Sequence, residues 1–144
     1  MGRLERIWVK QNMGGRPMQP VDQAELKADH GIVGNADVGG RRQVTVISAE
    51  RWAQAEGDLG VELDPSLRRA NLLVSGVDLV DSRDKVLTIG SCRVRLGGET
   101  RPCWYMDEQH QGLQDALDAD WGGGAYGVVL DGGTITVGDP VDLA

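Results

Sequence analysis

Lys85-Val-Leu-Thr-Ile-Gly-Ser-Cys-Arg-Val-Arg-Leu96 is the stretch that decides the fold. Cys92, Val94 and Leu96 alternate with Arg93 and Arg95, so one side of the segment is apolar and the other charged. Successive side chains leave opposite faces of an extended backbone, and period-two alternation therefore marks a half-buried strand. Residues 85–89 and 91–96 read as two strands joined at Gly90, with a turn at Gly97-Gly98.

The same grammar extends outward. Residues 4–10, 43–48 and 71–74 are short runs rich in Val, Ile and Leu, bounded by turn-forming residues. Residues 126–130 and 134–137 read as a hairpin through Asp131-Gly-Gly133. Ser48 is placed to cap a helix over 49–56, with Glu50 in its first turn and Gly57 at its end. Asp64-Pro65 matches a cap followed by proline at the first helical position. Leu113, Ala116 and Leu117 share a helical face within 112–119. Residues 12–40 contain two prolines and six glycines and read mostly as loop. Strands outnumber helices and sequential pairing dominates. The expected fold is mainly β, a small closed or nearly closed β-barrel with a few short helices, in one domain over residues 1–144.

A chain of 144 residues can bury a real core. No apolar run approaches the roughly 20 residues of a spanning helix. Met-Gly-Arg-Leu-Glu-Arg-Ile7 has charges where a signal peptide needs an apolar stretch, and Arg6 stands where a myristoylation site needs Ser or Thr. These features predict a cytoplasmic protein with no membrane partner. Net charge is −7, which argues against nucleic acid as a partner. All 15 Lys and Arg lie at or before Arg101, giving +1 to that point and −8 beyond it. Side-chain cations for any anion site must come from the first two thirds of the chain, with Arg41-Arg42, Arg68-Arg69 and Lys27 as the obvious sources.

Two cysteines do not make a disulfide framework. Cys92 falls on the apolar face of its strand, where a thiol acts as a small inert hydrophobe. Cys103 sits in Glu99-Thr-Arg-Pro-Cys-Trp-Tyr105. Pro102 removes a ladder donor, so the strand should end there, and residues just past strand ends often line sites. Arg101 is adjacent in sequence, and the thiolate is both the nucleophile and the metal ligand. Local sequence leaves a reactive thiol and an ordinary half-buried cysteine both open. No CxxC or HxxxH spacing gathers Cys92, Cys103, His30 and His110 into a zinc site, and Gly122-Gly-Gly124 lacks the Lys-Ser/Thr ending of a phosphate loop. Glycine donors beside Arg41-Arg42 would suit phosphate.

Several pieces occur in order: His30-Gly-Ile-Val-Gly34, Arg42-Gln-Val-Thr-Val-Ile-Ser-Ala-Glu50, Leu67-Arg-Arg-Ala-Asn-Leu72, Leu87-Thr-Ile-Gly90, Arg101-Pro-Cys103, Gly123-Gly-Ala-Tyr-Gly-Val-Val-Leu130 and Ile135-Thr-Val-Gly-Asp139. The set resembles a MOSC domain, named after the C-terminal domain of molybdenum cofactor sulfurase. The resemblance implies a barrel with a reactive Cys103 that either carries sulfur as a persulfide or binds molybdenum through a molybdopterin-type cofactor. Arg42, Arg69 and Asn71 occupy matching family positions for holding the cofactor, with Lys27, Arg41 and Arg101 beside them. Many family members carry Gly-Asp where this chain has Gly34-Asn-Ala-Asp37. A pyridoxal-phosphate-dependent desulfurase domain is expected only on a separate partner. A cysteine desulfurase or an electron-donor protein would thus act in trans. Three functions follow as expectations: a sulfur carrier, a molybdenum-cofactor reductase of N-hydroxylated compounds, and a non-catalytic small-molecule-binding barrel.

Overall fold

A computed structural model describes residues 2–11 and 17–144. Seven strands close on themselves: β1 (Gly2–Val9), β5 (Val44–Ser48), β6 (Leu72–Ser75), β7 (Val86–Ile89), β8 (Cys92–Glu99), β9 (Ala125–Asp131) and β11 (Pro140–Leu143). The order around the barrel is β1-β11-β7-β8-β9-β5-β6 and back to β1. Closure satisfies both backbone edges of every member and leaves none open for aggregation. A short β2 (Gln19–Val21) adds to β1. Strands β3 (Gln23–Lys27), β4 (Gly31–Ile32) and β10 (Gly133–Thr136) form a second, three-stranded sheet in the order β10-β3-β4.

The alternation in β8 does what its sequence demands. Cys92, Val94 and Leu96 are fully buried inside the barrel, whereas Arg93 and Arg95 are exposed outside it. Burying such an aliphatic side chain is worth roughly 1.5–3 kcal/mol. Leu26, Ile32 and Ile135 of the second sheet join the same core.

Among the described residues only β5 and β6 run parallel, and a parallel pair requires a crossover. The crossover is α1 (Ala49–Leu59) and a 3₁₀ turn over Pro65–Arg68. Ser48 Oγ accepts from the Arg51 N–H, the N-cap its sequence predicts. The helix runs past Gly57 and ends at Gly60, whose φ of 68° is the left-handed stop. Asp64 caps the 3₁₀ turn through the Ser66 N–H. Two further short helices, α2 (Tyr105–Gln109) and α3 (Leu113–Asp118), follow β8.

The helices cover one outer wall. Trp8 of β1, Ile47 of β5 and Leu73 of β6 form a second core with Trp52, Met106 and Leu113. That packing fixes where the chain goes after β8, and hence where Cys103 lies.

Three local expectations change. Residues 17–40 carry β2, β3 and β4 in place of continuous loop, because Ala24 and Leu26 alternate with polar neighbours and pair with β10; residues 12–16 of that stretch lie outside the described residues. Gly97 and Gly98 are within β8 at a register shift and form no turn. Strand β10 does not fold back on β9 as a hairpin; it pairs with β3.

Candidate functional site

Cys103 is exposed and Cys92 is buried, and both are free thiols. Burial pushes the Cys92 thiol pKa up, Ser91 opposes this by hydrogen bonding, and Asp139 and Asp131 add to the rise. At Cys103 the ladder has just ended: the Thr100 N–H donates to Gly124 at 2.8 Å, and Pro102 offers no donor. The Cys103 carbonyl then accepts from the Met106 N–H at 2.9 Å as α2 begins. The thiol therefore stands at the corner between a barrel strand and a helix packed on the barrel wall.

Beneath this corner lies Arg68, named in the sequence only as half of the Arg68-Arg69 pair, of which the family resemblance singles out Arg69. Arg68 is 8 % exposed. Its Nε donates to the Gly123 carbonyl at 2.9 Å and its Nη2 to the Thr100 carbonyl at 3.0 Å. Its Nη1 meets only the Met106 sulfur, at 3.8 Å. Burial draws the guanidinium pKa below its ordinary value, the Cys103 thiolate works against that, and Arg42 adds to the lowering. Cys103, Arg68 and Arg42 are thus within electrostatic reach of one another. The Thr100 hydroxyl, on the residue whose carbonyl holds Arg68, is buried without a partner among the described residues.

The other named residues divide. Arg42 extends over the Tyr126 ring, 4.9 Å from its centroid. Arg41, Arg101 and Lys27 are exposed and have no ion-pair partner among the described residues. Lys27 ends β3 opposite Gly31, on the second sheet. Arg69 has a φ of 65° and terminates the 3₁₀ turn, its N–H donating to Ser66. Asn71 is buried and occupied. Its Oδ1 accepts from the Thr45 N–H and hydroxyl at 3.1 Å each, and its Nδ2 donates to the Trp8 carbonyl and to Asn35. It joins β1, β5 and the Asn35 loop. Asp37, beyond that loop, pairs with Lys10 at 3.4 Å.

Two clefts of about 670 and 570 Å³ lie elsewhere, one between the end of α1 and Pro65, the other between Ser48, Val77 and Trp121; neither is lined by Cys103. Among the described residues no group of three or more His, Cys, Asp or Glu is arranged to hold a metal. A thiolate at position 103 would bind a metal as one ligand to an ion brought by its own cofactor. Among the described residues no helix is long and apolar enough to cross a membrane.

A closed seven-stranded barrel bearing one exposed thiol over a buried guanidinium defines the class. The MOSC domain model matches residues 27–142, and the chain belongs to the MOSC domain family. Its fold is similar to the YuaD protein of Bacillus subtilis, with a TM-score of 0.82 at 20 % identity, covering 99 % of this chain and 96 % of that one. It is also similar to YiiM from Geobacillus stearothermophilus, with a TM-score of 0.79 at 19 % identity over 100 % of this chain and 75 % of that one. For YiiM from Escherichia coli the TM-score is 0.72 at 15 % identity, over 99 % and 69 %. A comparison with curated proteins gives no match.

Proposed function

We propose that the protein is a cytoplasmic sulfur carrier that holds a persulfide on Cys103 and delivers its sulfur to a metal centre or molybdenum cofactor. The observation that carries this reading is the exposed Cys103 thiol at the corner between β8 and α2, with the buried Arg68 guanidinium anchored to the Thr100 carbonyl three residues before it. The Cys103 thiolate attacks the terminal sulfur of a donor protein's persulfide. The donor's S–S bond breaks, its cysteine leaves as a thiolate, and a new S–S bond forms on Cys103. The transferred sulfur keeps its oxidation state, so no outside oxidant is needed. Cys92 is buried and gives no second exposed thiol to resolve the persulfide as a disulfide.

Incubation with a cysteine desulfurase, its pyridoxal phosphate and cysteine should add one sulfur by intact mass. Cys92→Ser should keep the added sulfur and Cys103→Ser should lose it. An unchanged mass in the wild type would sink the proposal.

A second reading rests on the thiol and the arginines at the same corner. Soft thiolate suits molybdenum, and the exposed Arg42 with the edge of Arg68 would suit the anionic part of a molybdopterin-type cofactor. The residues fit such a group: Cys103 would ligate the metal, and Arg68 would hold negative charge beside it. The cofactor would supply two-electron chemistry for reducing N-hydroxylated compounds, with electrons from a separate protein. Stoichiometric molybdenum after expression in a host that makes the cofactor would favour this reading over the carrier.

A further inference from the structure

We propose that the surface beside Cys103 is a docking face for a persulfide-bearing donor protein whose own reactive cysteine is ringed by acidic side chains. This rests on the sulfur-carrier reading and names the partner's chemistry.

Trp104, next to the thiol, is 66 % exposed, the highest exposure among the large exposed hydrophobics of the described residues. Its ring stands edge-on to Tyr105, with centroids 6.0 Å apart. Aromatic side chains left in water beside a reactive group are the residues that anchor protein interfaces. Cations gather on the outer face of β8 and β9, the strands on either side of the Cys103 corner. Arg42 lies over Tyr126, and Tyr126 lies over the bare backbone of Gly97 and Gly98. A methyl group on Gly98 would come within 2.9 Å of the Tyr126 hydroxyl and 3.2 Å of the Arg83 guanidinium, so these two side chains meet there. Arg83 is held by the Gly97 carbonyl at 2.9 Å. Arg95 follows on β8, flanked across the strands by Val86 and Val128, and has no ion pair among the described residues.

Arginine and tyrosine beside half-exposed valines, together with an exposed tryptophan next to the thiol, make a surface suited to protein contact. The chain as a whole carries −7, whereas here Arg42, Arg83 and Arg95 outnumber the neighbouring Asp84 and Glu99. An acidic partner is repelled by much of the molecule and welcomed here, which orients it with its cysteine toward Cys103. Acidic residues border the patch: Asp84 follows Arg83, Glu99 follows Gly98, and Asp107 and Glu108 belong to α2 beyond Trp104.

The test compares two donors on the full chain: the host's cysteine desulfurase with cysteine, and a small-molecule persulfide such as glutathione persulfide. Loading of Cys103 is followed by intact mass. Arg83→Glu with Arg95→Glu should slow loading from the desulfurase about tenfold at low salt, and the difference should shrink as salt rises. Trp104→Ala should slow it by a similar factor at any salt. Loading from the small persulfide should be unchanged in both variants, and a circular dichroism spectrum and melting temperature like those of the wild type show that they are folded. Equal desulfurase loading of the wild type and the double variant would overturn the docking face. So would a wild type that takes sulfur from the small persulfide but not from the desulfurase. A wild type that takes sulfur from neither would overturn the carrier reading itself.

Discussion

Arg68 donates from Nε to the carbonyl of Gly123 at 2.9 Å, joining two residues 55 positions apart. The same side chain reaches the Thr100 carbonyl. One guanidinium therefore ties the chain entering β9 to the chain leaving β8, and the Cys103 corner hangs between them. The same residue is a buried cation at that corner, so one side chain both braces the site and brings a charge to it.

Removing Arg68 should cost both roles. Arg68→Ala leaves two carbonyls without their partner, each worth about 1–3 kcal/mol when buried. We expect a loss of roughly 2–4 kcal/mol, measured by urea denaturation. Arg68→Lys keeps a charge but has no planar fork to serve two carbonyls, and should lose at least half as much. A loss below about 1 kcal/mol in Arg68→Ala would mean that the corner does not depend on this staple.

How much of this was legible differs between backbone and site. The β8 alternation and the caps at Ser48 and Asp64 were readable because each follows from neighbouring residues alone. The partner of β10 was not, since two glycines after Asp131 look the same whether the chain folds back or crosses to β3. Helix α2 escaped because it is five residues long and no side chain caps it. Cys103 could be singled out by Pro102 and its odd position among the strands. Arg68 could not be separated from Arg69, because which of the two turns inward depends on the left-handed φ at Arg69, a property of the finished 3₁₀ turn. The Arg42, Tyr126 and Gly97-Gly98 stack needed the register of β8 against β9.

That stack yields a coupled prediction. A methyl at Gly97 would fall 2.8 Å from Cε1 of Tyr126, closer than side-chain atoms tolerate. Gly97→Ala should therefore push the ring and Arg42 outward at a cost of about 1–3 kcal/mol. In a Tyr126→Ala background the same change should cost almost nothing. A double-mutant cycle by thermal unfolding measures the coupling, and additivity within about 0.5 kcal/mol would refute the contact.

Asp64 carries a pH-dependent increment. Burial raises its carboxyl pKa, but hydrogen bonds from Ser66 and then Arg6 outweigh that and leave it below 3.8. A carboxylate depressed in the folded state stabilises above its unfolded pKa, and the benefit disappears as pH falls through the folded value. The side chain is half exposed, so the contribution is small. Asp64→Ala should cost about 0.5–1 kcal/mol at pH 7, and the two stabilities should converge below about pH 3. A constant difference down to pH 2 would assign the effect to packing instead.

The two thiols should separate in their rate of modification. A thiol reagent should modify Cys103 in the folded protein and reach Cys92 only on unfolding, because Cys92 lies fully inside the barrel. Burial raises the Cys92 pKa, so the folded chain keeps a proton that the unfolded chain loses. Its contribution is complete below the unfolded thiol's range, near pH 8.5, and is lost as pH climbs through the folded value. In a Cys103→Ser background, stability should fall with a slope of up to about 1.4 kcal/mol per pH unit above that point. Adding Cys92→Ala should lower stability at pH 7 by about 1 kcal/mol through the lost sulfur, and should remove that slope. If the slope survives the second substitution, another group is titrating, and the buried thiol is not what makes the barrel sensitive to alkali.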